Sequence, residues 1–123
     1  NLMVARHKEE QFPVENRQHI LFESFLVQVQ KHYTRQRDII FYADILCVTP
    51  KYLSQIVYKA SGRYAGDWIR DYVILEAKAM LKSRKYTVQQ MSDQLNFANA
   101  SFFGKYFKAT VGCSPRKYQM SDT

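Results

Sequence analysis

Lys51 and Gln55 stand four residues apart, directly after the pair Thr49-Pro50. Threonine is a favoured N-cap residue and proline is favoured at the first helical position, so this pair predicts the sharp start of a helix. Residues four apart share one face of a helix. Glutamine can pair with the edge of adenine, and lysine with O6 and N7 of guanine. The spacing therefore indicates contact with DNA bases, with a simple phosphate contact as the alternative for Lys51.

The rest of this helix divides into an inward and an outward face. Leu53, Ile56 and Val57 recur at helical spacing and predict the buried side. Ser61-Gly62 predicts the end, because glycine is the usual residue just after a helix C-terminus. The outward face comprises Lys51, Tyr52, Ser54, Gln55, Tyr58 and Lys59. The predicted DNA contacts of this helix are Thr49, Lys51, Tyr52, Ser54, Gln55 and Lys59.

A second helix of the same design is predicted after Asn99. Asparagine is a favoured N-cap, and Phe103 with Tyr106 or Phe107 predicts the buried face. Gly112 predicts the end of this helix, as Gly62 does for the first.

The outward face of the second helix has less hydrogen-bonding capacity than that of the first. Ala100 offers only a methyl group, for instance to thymine, and Gly104 offers no side chain, so weaker sequence discrimination is expected here. For Ser101, a hydroxyl that serves the first helical turn is an equally good interpretation. The predicted DNA contacts of this helix are Asn99, Ala100, Ser101, Gly104, Lys105 and Lys108.

Both helix starts favour anions, because free backbone amides and the helix dipole are directed there. Phosphates are therefore expected beside Thr49 and Asn99. About half of the scattered basic residues are expected to contact the DNA backbone as well. The candidates are Lys59, Arg63, Arg84, Lys85, Lys108, Arg116 and Lys117.

The composition agrees with a nucleic-acid partner. The chain has 123 residues and a net charge of +7, which attracts polyanions such as nucleic acid or anionic lipid. The 8 Phe and 9 Tyr fall mostly at core spacing, so buried roles are favoured over stacking on single-stranded bases. Cys47 and Cys113 are far apart, and the histidines are not spaced as ligands with them, so no metal site is expected. No apolar run reaches membrane-spanning length and no signal peptide opens the chain, so a cytoplasmic protein is expected.

The remaining patterns predict an all-α chain of about seven helices. Residues 1–16 are mixed in charge and predict an arm or linker from a missing N-terminal region, since the chain opens on Asn rather than Met. A helix from Arg17 carries the apolar residues Phe22, Phe25, Leu26, Val29 and Tyr33. Asp38 caps a short helix with the apolar face Ile39, Tyr42, Ala43 and Leu46. A long helix is predicted over 65–82, with a buried stripe of Trp68, Ile69, Val73, Ala77, Met80 and Leu81. The capping box from Thr87 to Gln90 predicts the start of another helix, whose inward residues are Val88, Met91 and Leu95. A last short helix is predicted from Ser114-Pro115 to about Met120.

The chain repeats itself with a period near 50. At an offset of 49, Asp44, Leu46 and Val48 match Asp93, Leu95 and Phe97, respectively. At an offset of 50, Leu53, Gln55, Val57 and Gly62 match Phe103, Lys105, Phe107 and Gly112, respectively. One extra residue in the second turn explains the change of offset. A short helix, a tight turn and a helix that ends in glycine form a helix-turn-helix unit, whose second helix enters the major groove. Two stacked hairpins of a solenoid are the alternative, although solenoids need three or more repeats.

The helix predicted over 65–82 gives the two units a useful separation. At about 1.5 Å per residue it would span roughly 27 Å. Successive major grooves on one side of B-DNA are about 34 Å apart. The fold class predicted is therefore all-α, with two helix-turn-helix subdomains joined by a long linker helix.

The second unit contains a spaced pattern of phenylalanine, serine, glycine and proline. It consists of Phe97, Ser101-Phe102-Phe103, Phe107-Lys108, Gly112-Cys113-Ser114-Pro115 and Tyr118. Together with FYADILCVTPKYLSQIVYKASG and WIRDYVILEAKAMLK, this pattern resembles the DNA-binding domain of the AraC/XylS family of bacterial transcription regulators, over about residues 18–118. The family usually has Arg after that tyrosine, whereas this sequence has Gln119.

The resemblance implies one lobe over 17–64, a linker helix over 65–82 and a second lobe over 83–123. It implies sequence-specific binding of double-stranded DNA, with base contacts by Lys51, Gln55 and Lys105. It also implies RNA polymerase as a partner, activation rather than repression, no cofactor, and a missing N-terminal sensor that binds a small molecule or receives a signal.

Two other classes of function have less support. An enzyme is not expected, because the sequence shows no Ser/His/Asp or Cys/His arrangement and no glycine-rich phosphate loop. Some relatives join such a domain to a DNA-repair alkyl acceptor, but its cysteine cluster is absent from this sequence. The main alternative is a helical protein-interaction module that does not bind DNA. That module would show no salt-dependent DNA affinity and would tolerate charge reversal at Lys51 or Lys105.

Overall fold

Seven α-helices make up the described part of the chain, residues 14–121 of a computed structural model, and no strand occurs in that part. The predicted all-α fold is confirmed. The helix predicted from Arg17 begins three residues earlier, and the rest of the predicted arm, 1–13, lies outside the described residues. The helices are α1 (Val14–His32), α2 (Ile39–Ile45), α3 (Pro50–Ser61), α4 (Ala65–Ser83), α5 (Val88–Gln94), α6 (Ala100–Val111) and α7 (Pro115–Met120).

The chain divides into two compact units. Unit 1 contains α1 through His32 and the segment Arg37–Trp68, and unit 2 contains Tyr33–Gln36 and the chain from Ile69 onward. The boundary between the two compact units therefore lies within α4, between Trp68 and Ile69. The lobes over 17–64 and 83–123 with a separate linker helix over 65–82 stay a prediction.

Unit 1 packs α1, α2 and α3 around aromatic and aliphatic side chains. The rings of Phe25 and Tyr42 meet edge to face with their centroids 5.7 Å apart. Burial raises the pKa of Tyr42 to about 12, although Arg37 acts in the opposite direction. The predicted inward positions Phe22, Phe25, Val29, Tyr42, Ala43, Leu53, Ile56 and Val57 are buried, whereas Leu26, Ile39 and Leu46 are half-buried.

The sequence predicted Trp68 as part of the buried stripe, whereas in the structure this side chain is only half-buried. Its ring lies edge-on to Phe22 at 5.8 Å and carries the guanidinium of Arg63 at 4.8 Å. The indole N–H donates a hydrogen bond to Oγ of Ser61 at 3.0 Å. A buried indole needs such a polar partner, and Ser61 provides it at the edge of the core.

Unit 2 contains a second core between α4, α5, α6 and α7. The loop after α1 also belongs to this unit, and Tyr33, predicted as the last apolar residue of the first helix, lies in that loop. Its hydroxyl donates to Glu76 Oε2 at 3.3 Å, and Asn96 Nδ2 donates to the carbonyl of Thr34 at 2.8 Å. The buried residues are Ile74, Ala77, Met80, Leu81, Met91, Leu95, Phe103 and Phe107, with Val88, Tyr106 and Tyr118 partly buried against them.

The two units repeat the same turn geometry. The turns after α2 and α5 contain Cys47 and Asn96, which have φ values of +59° and +60° and are 49 residues apart. The N-caps that follow, Thr49 and Asn99, are 50 residues apart. The predicted extra residue is confirmed. Counting forward from the turn, Phe97 corresponds to Val48, because their backbone N–H groups donate to the carbonyls of Ser92 and Ala43. The extra residue is therefore Ala98, between Phe97 and the cap.

The left-handed backbone of these two turns leads to a paired prediction. A left-handed conformation costs about 1 kcal/mol for most residues and less for asparagine or glycine. Cys47→Gly is therefore expected to raise the free energy of unfolding by about 1 kcal/mol. Asn96→Gly is expected to lower it by about 1 kcal/mol, because the hydrogen bond to the Thr34 carbonyl is lost. Urea unfolding followed by circular dichroism measures both, and a loss of stability in Cys47→Gly would contradict the argument.

Gln119, which departs from the resembled family, has a structural role. Its Nε2 donates to the carbonyl of Leu81 at 3.0 Å and so satisfies a backbone acceptor near the end of α4. In return, the guanidinium of Arg84 donates to the carbonyl of Gln119 at 3.1 Å. Lys82 Nζ donates to the carbonyl of Ser121 at 2.7 Å. The C-terminal ends of α4 and α7 thus supply each other's missing hydrogen bonds.

Candidate nucleic-acid interface

Helix α3 is fixed at both ends by its sequence. The backbone N–H of Tyr52 donates to Thr49 Oγ1 at 3.1 Å, and Pro50 occupies the first turn. At the other end, Gly62 adopts φ +74° and its N–H donates to the carbonyl of Tyr58 at 2.7 Å. These caps define a helix of 12 residues and, with it, which side chains face outward.

The structure exposes every α3 side chain that the sequence assigned to DNA contact. Leu53 and Val57 are fully buried, so the opposite side of the helix faces solvent. Lys51 and Gln55 are exposed one turn apart, as their spacing predicted. The exposed set is Thr49, Lys51, Tyr52, Ser54, Gln55 and Lys59. These groups can hydrogen-bond with base edges or phosphates.

Helix α6 repeats this construction in unit 2. The backbone N–H of Phe102 donates to Asn99 Oδ1 at 3.0 Å, and Gly112 ends the helix with φ +99°. Of the predicted contacts, Ala100 and Gly104 are half-buried, while Asn99, Ser101, Lys105 and Lys108 are exposed.

Gly104 is not required by the folded chain itself. A Cβ atom added there would meet no atom within 4 Å, and the residue has ordinary helical backbone. A glycine inside a helix costs about 1 kcal/mol relative to alanine. Packing within the described chain therefore gives no reason for a glycine at this position.

Phe102 is the surface residue that the sequence analysis missed. Its side chain is 57% exposed, while that of the adjacent Phe103 is 0% exposed. The repeat held the signal, because an offset of 50 maps Phe102 onto Tyr52, which is 41% exposed. The third residue of α3 and the third residue of α6 are thus both exposed aromatic residues, Tyr52 with a hydroxyl and Phe102 without one.

Some candidate phosphate contacts have partners within the chain. Arg63 lies over the Trp68 ring, and Arg84 donates to the carbonyl of Gln119. The other candidates carry exposed side chains, namely Lys59, Lys85, Lys108, Arg116 and Lys117. These five cations are therefore accessible to a polyanion.

The described part of the chain contains neither a candidate membrane-spanning helix nor a candidate metal-binding cluster. Between residues 14 and 121, none of the helices combines the length and apolarity needed to cross a membrane. The same residues form no cluster of three or more histidine, cysteine, aspartate or glutamate side chains suited to a metal ion.

Comparison with known sequences finds relatives of this chain among helix-turn-helix regulators. A family model described as a helix-turn-helix domain matches residues 42–121. The chain is 29% identical over 113 residues to the HTH-type transcriptional activator AarP of Providencia stuartii, covering 88% of this chain and 84% of AarP. It is 31% identical over 94 residues to the uncharacterized HTH-type transcriptional regulator YobQ of Bacillus subtilis, covering 76% of this chain. The chain spans 39% of the length of YobQ.

Solved structures share the fold. The C-terminal domain of AraT, a response regulator from Geobacillus stearothermophilus, superposes with a TM-score of 0.76 at 20% identity, covering 83% of this chain and 88% of that domain. The DNA-binding domain of AdpA, solved in complex with a target DNA, superposes with a TM-score of 0.70 at 17% identity. The match covers 80% of this chain and 88% of the AdpA domain. At these identities the likeness concerns the arrangement of helices.

Proposed function

Because the chain belongs to the AraC/XylS family of helix-turn-helix transcription regulators, we propose that it binds double-stranded DNA sequence-specifically through α3 and α6. In this proposal the two helices enter successive major grooves. The observation that carries it is the repeated construction of two capped helices, each with a buried apolar side and an outward side bearing exposed lysine. This is the presentation that a recognition helix requires.

Lys51 and Gln55 on α3 and Lys105 on α6 are the proposed base contacts. All three side chains are exposed, and each can reach hydrogen-bonding groups of a base edge. Phosphates are proposed at the helix starts beside Thr49 and Asn99, where anions are favoured. Lys59 and Lys108, toward the other end of each helix, would add contacts to the backbone of the duplex.

The proposal extends to the whole regulator. The chain spans about two fifths of YobQ, and we propose, as the family resemblance implies, that a further N-terminal region has a sensor role. Activation is favoured over repression, because AarP is named as an activator. An activator of transcription in a bacterium would contact RNA polymerase and act in the cytoplasm, and we include both in the proposal.

Titration of the chain against duplex DNA at several salt concentrations tests the proposal. Random duplex and duplexes enriched from genomic fragments are the probes, and the logarithm of affinity is expected to fall linearly with the logarithm of salt. A slope equivalent to about 6–10 phosphate contacts fits engagement of both helices. About half that slope would mean that one unit binds. No binding to any duplex at low salt would contradict DNA binding and favour the protein-interaction module.

A further inference from the structure

Phe102 is an apolar residue without a role in the core of unit 2. It is the third residue of α6, its backbone N–H completes the Asn99 cap, and its side chain is 57% exposed. Phe103 and Phe107, on the other side of the same helix, are fully buried and supply the aromatic packing. A side chain that is more than half exposed gains only part of its burial energy in the free chain. Its contribution therefore depends on a partner that covers it.

The position of Phe102 points to the DNA groove. Residues near the N-terminus of a recognition helix contact base edges. Long side chains on helices lean toward the helix N-terminus, which moves the ring in the direction of the groove. Phe102 and Lys105 are three residues apart and are therefore neighbours on the surface of α6. A duplex that Lys105 reaches would also meet this ring.

The chemistry of the ring selects one kind of base. Phenylalanine has no hydrogen-bonding group, whereas Tyr52 at the same position of unit 1 has a hydroxyl that can contact a phosphate or a base. In the major groove, thymine is the base that displays an apolar group, its C5 methyl. Ser101 and Lys105 provide the hydrogen bonds of this face, and Phe102 provides its largest exposed apolar surface.

We propose that Phe102 contacts the C5 methyl group of a thymine close to the base pair approached by Lys105. The inference rests on the proposed DNA binding and specifies part of its sequence preference. Unit 1 would then discriminate bases mainly by hydrogen bonds, and unit 2 partly by an apolar contact.

Replacement of thymine by deoxyuridine removes the methyl group and tests the contact. A duplex enriched from a random library by the wild-type chain is the probe, and its thymines are replaced one at a time. For the wild type, one replacement in the half bound by α6 is expected to raise Kd about fourfold, the value of one buried methyl group. The variant Phe102→Ala is expected to bind the thymine and deoxyuridine duplexes equally. Phe102→Leu, which keeps an apolar side chain, is expected to retain part of the difference.

Failure of the inference is distinguishable from failure of the proposed function. If the wild type binds the duplex but no thymine replacement matters, or if Phe102→Ala keeps the difference, the methyl contact is excluded while DNA binding stands. Tighter binding of single-stranded than of duplex DNA, lost in Phe102→Ala, would assign the ring to base stacking and overturn the inference. If the wild type binds no duplex, the proposed function itself fails. Circular dichroism of each variant verifies that it is folded.

Discussion

Lys105→Glu is expected to raise the Kd for an enriched duplex about 30-fold at low salt. A good lysine contact with a guanine edge contributes about 1–3 kcal/mol to discrimination, and the new carboxylate adds repulsion from the phosphates. Lys51→Glu on α3 is expected to act in the same direction. Lys105 and Lys51 are both exposed, so neither substitution should affect folding. Fluorescence anisotropy at several salt concentrations measures the change, which should shrink as salt rises.

A charge-matched variant separates a local contact from the general loss of positive charge. Lys31→Glu makes the same charge change at an exposed lysine near the end of α1, outside both α3 and α6. It is expected to weaken binding only a few-fold, through the smaller net charge. Equal losses in Lys31→Glu and Lys105→Glu would refute the assignment of Lys105 to the interface. Full tolerance of all three reversals would favour a module that binds protein instead of DNA.

Phe103→Ala is expected to lower the free energy of unfolding by about 3–5 kcal/mol, the usual cost of truncating a buried phenylalanine. Its ring is 0% exposed and lies 5.3 Å from that of Phe97 and 6.1 Å from that of Phe107. Removing it would leave a cavity in the core of unit 2. Urea unfolding monitored by circular dichroism measures the loss.

The adjacent residue provides the control for this prediction. Phe102→Ala removes the same atoms from an exposed position and is expected to change the free energy of unfolding by less than about 0.5 kcal/mol. Similar losses in the two variants would show that the register of α6 differs from the one described. The pair thus tests whether α6 has its buried and exposed faces assigned correctly.

Helix boundaries were the most predictable part of the fold, because their causes are local. Thr49, Thr87, Asn99 and Ser114 each accept a hydrogen bond from the backbone N–H three residues ahead, and the residue type alone indicates that ability. The sequence predicted the first helix only from Arg17, because no clear apolar period marks residues 14–16, which are helical in the structure.

Features that depend on tertiary packing were less predictable. Phe102 and Phe103 are adjacent and chemically identical, so only the register of α6 decides which ring is exposed. Gln119 stood out as a departure from a family pattern, but its bond to Leu81 joins helices that are distant in sequence. The exposure of most candidate DNA contacts followed from the apolar periodicity, although Ala100 and Gly104 are half-buried. The groups that these residues meet on DNA stay a prediction.

The extra residue Ala98 bears on how such a domain can change length during evolution. It lies in the turn before the cap residue Asn99. Because α6 begins at this cap, the length of the turn does not change which side chains of α6 face the core. One residue inserted inside α6 would instead turn everything beyond it by about 100° and carry Lys105 toward the core. Insertions and deletions in the turn are therefore compatible with an unchanged recognition surface. The same event a few residues later would be selected against.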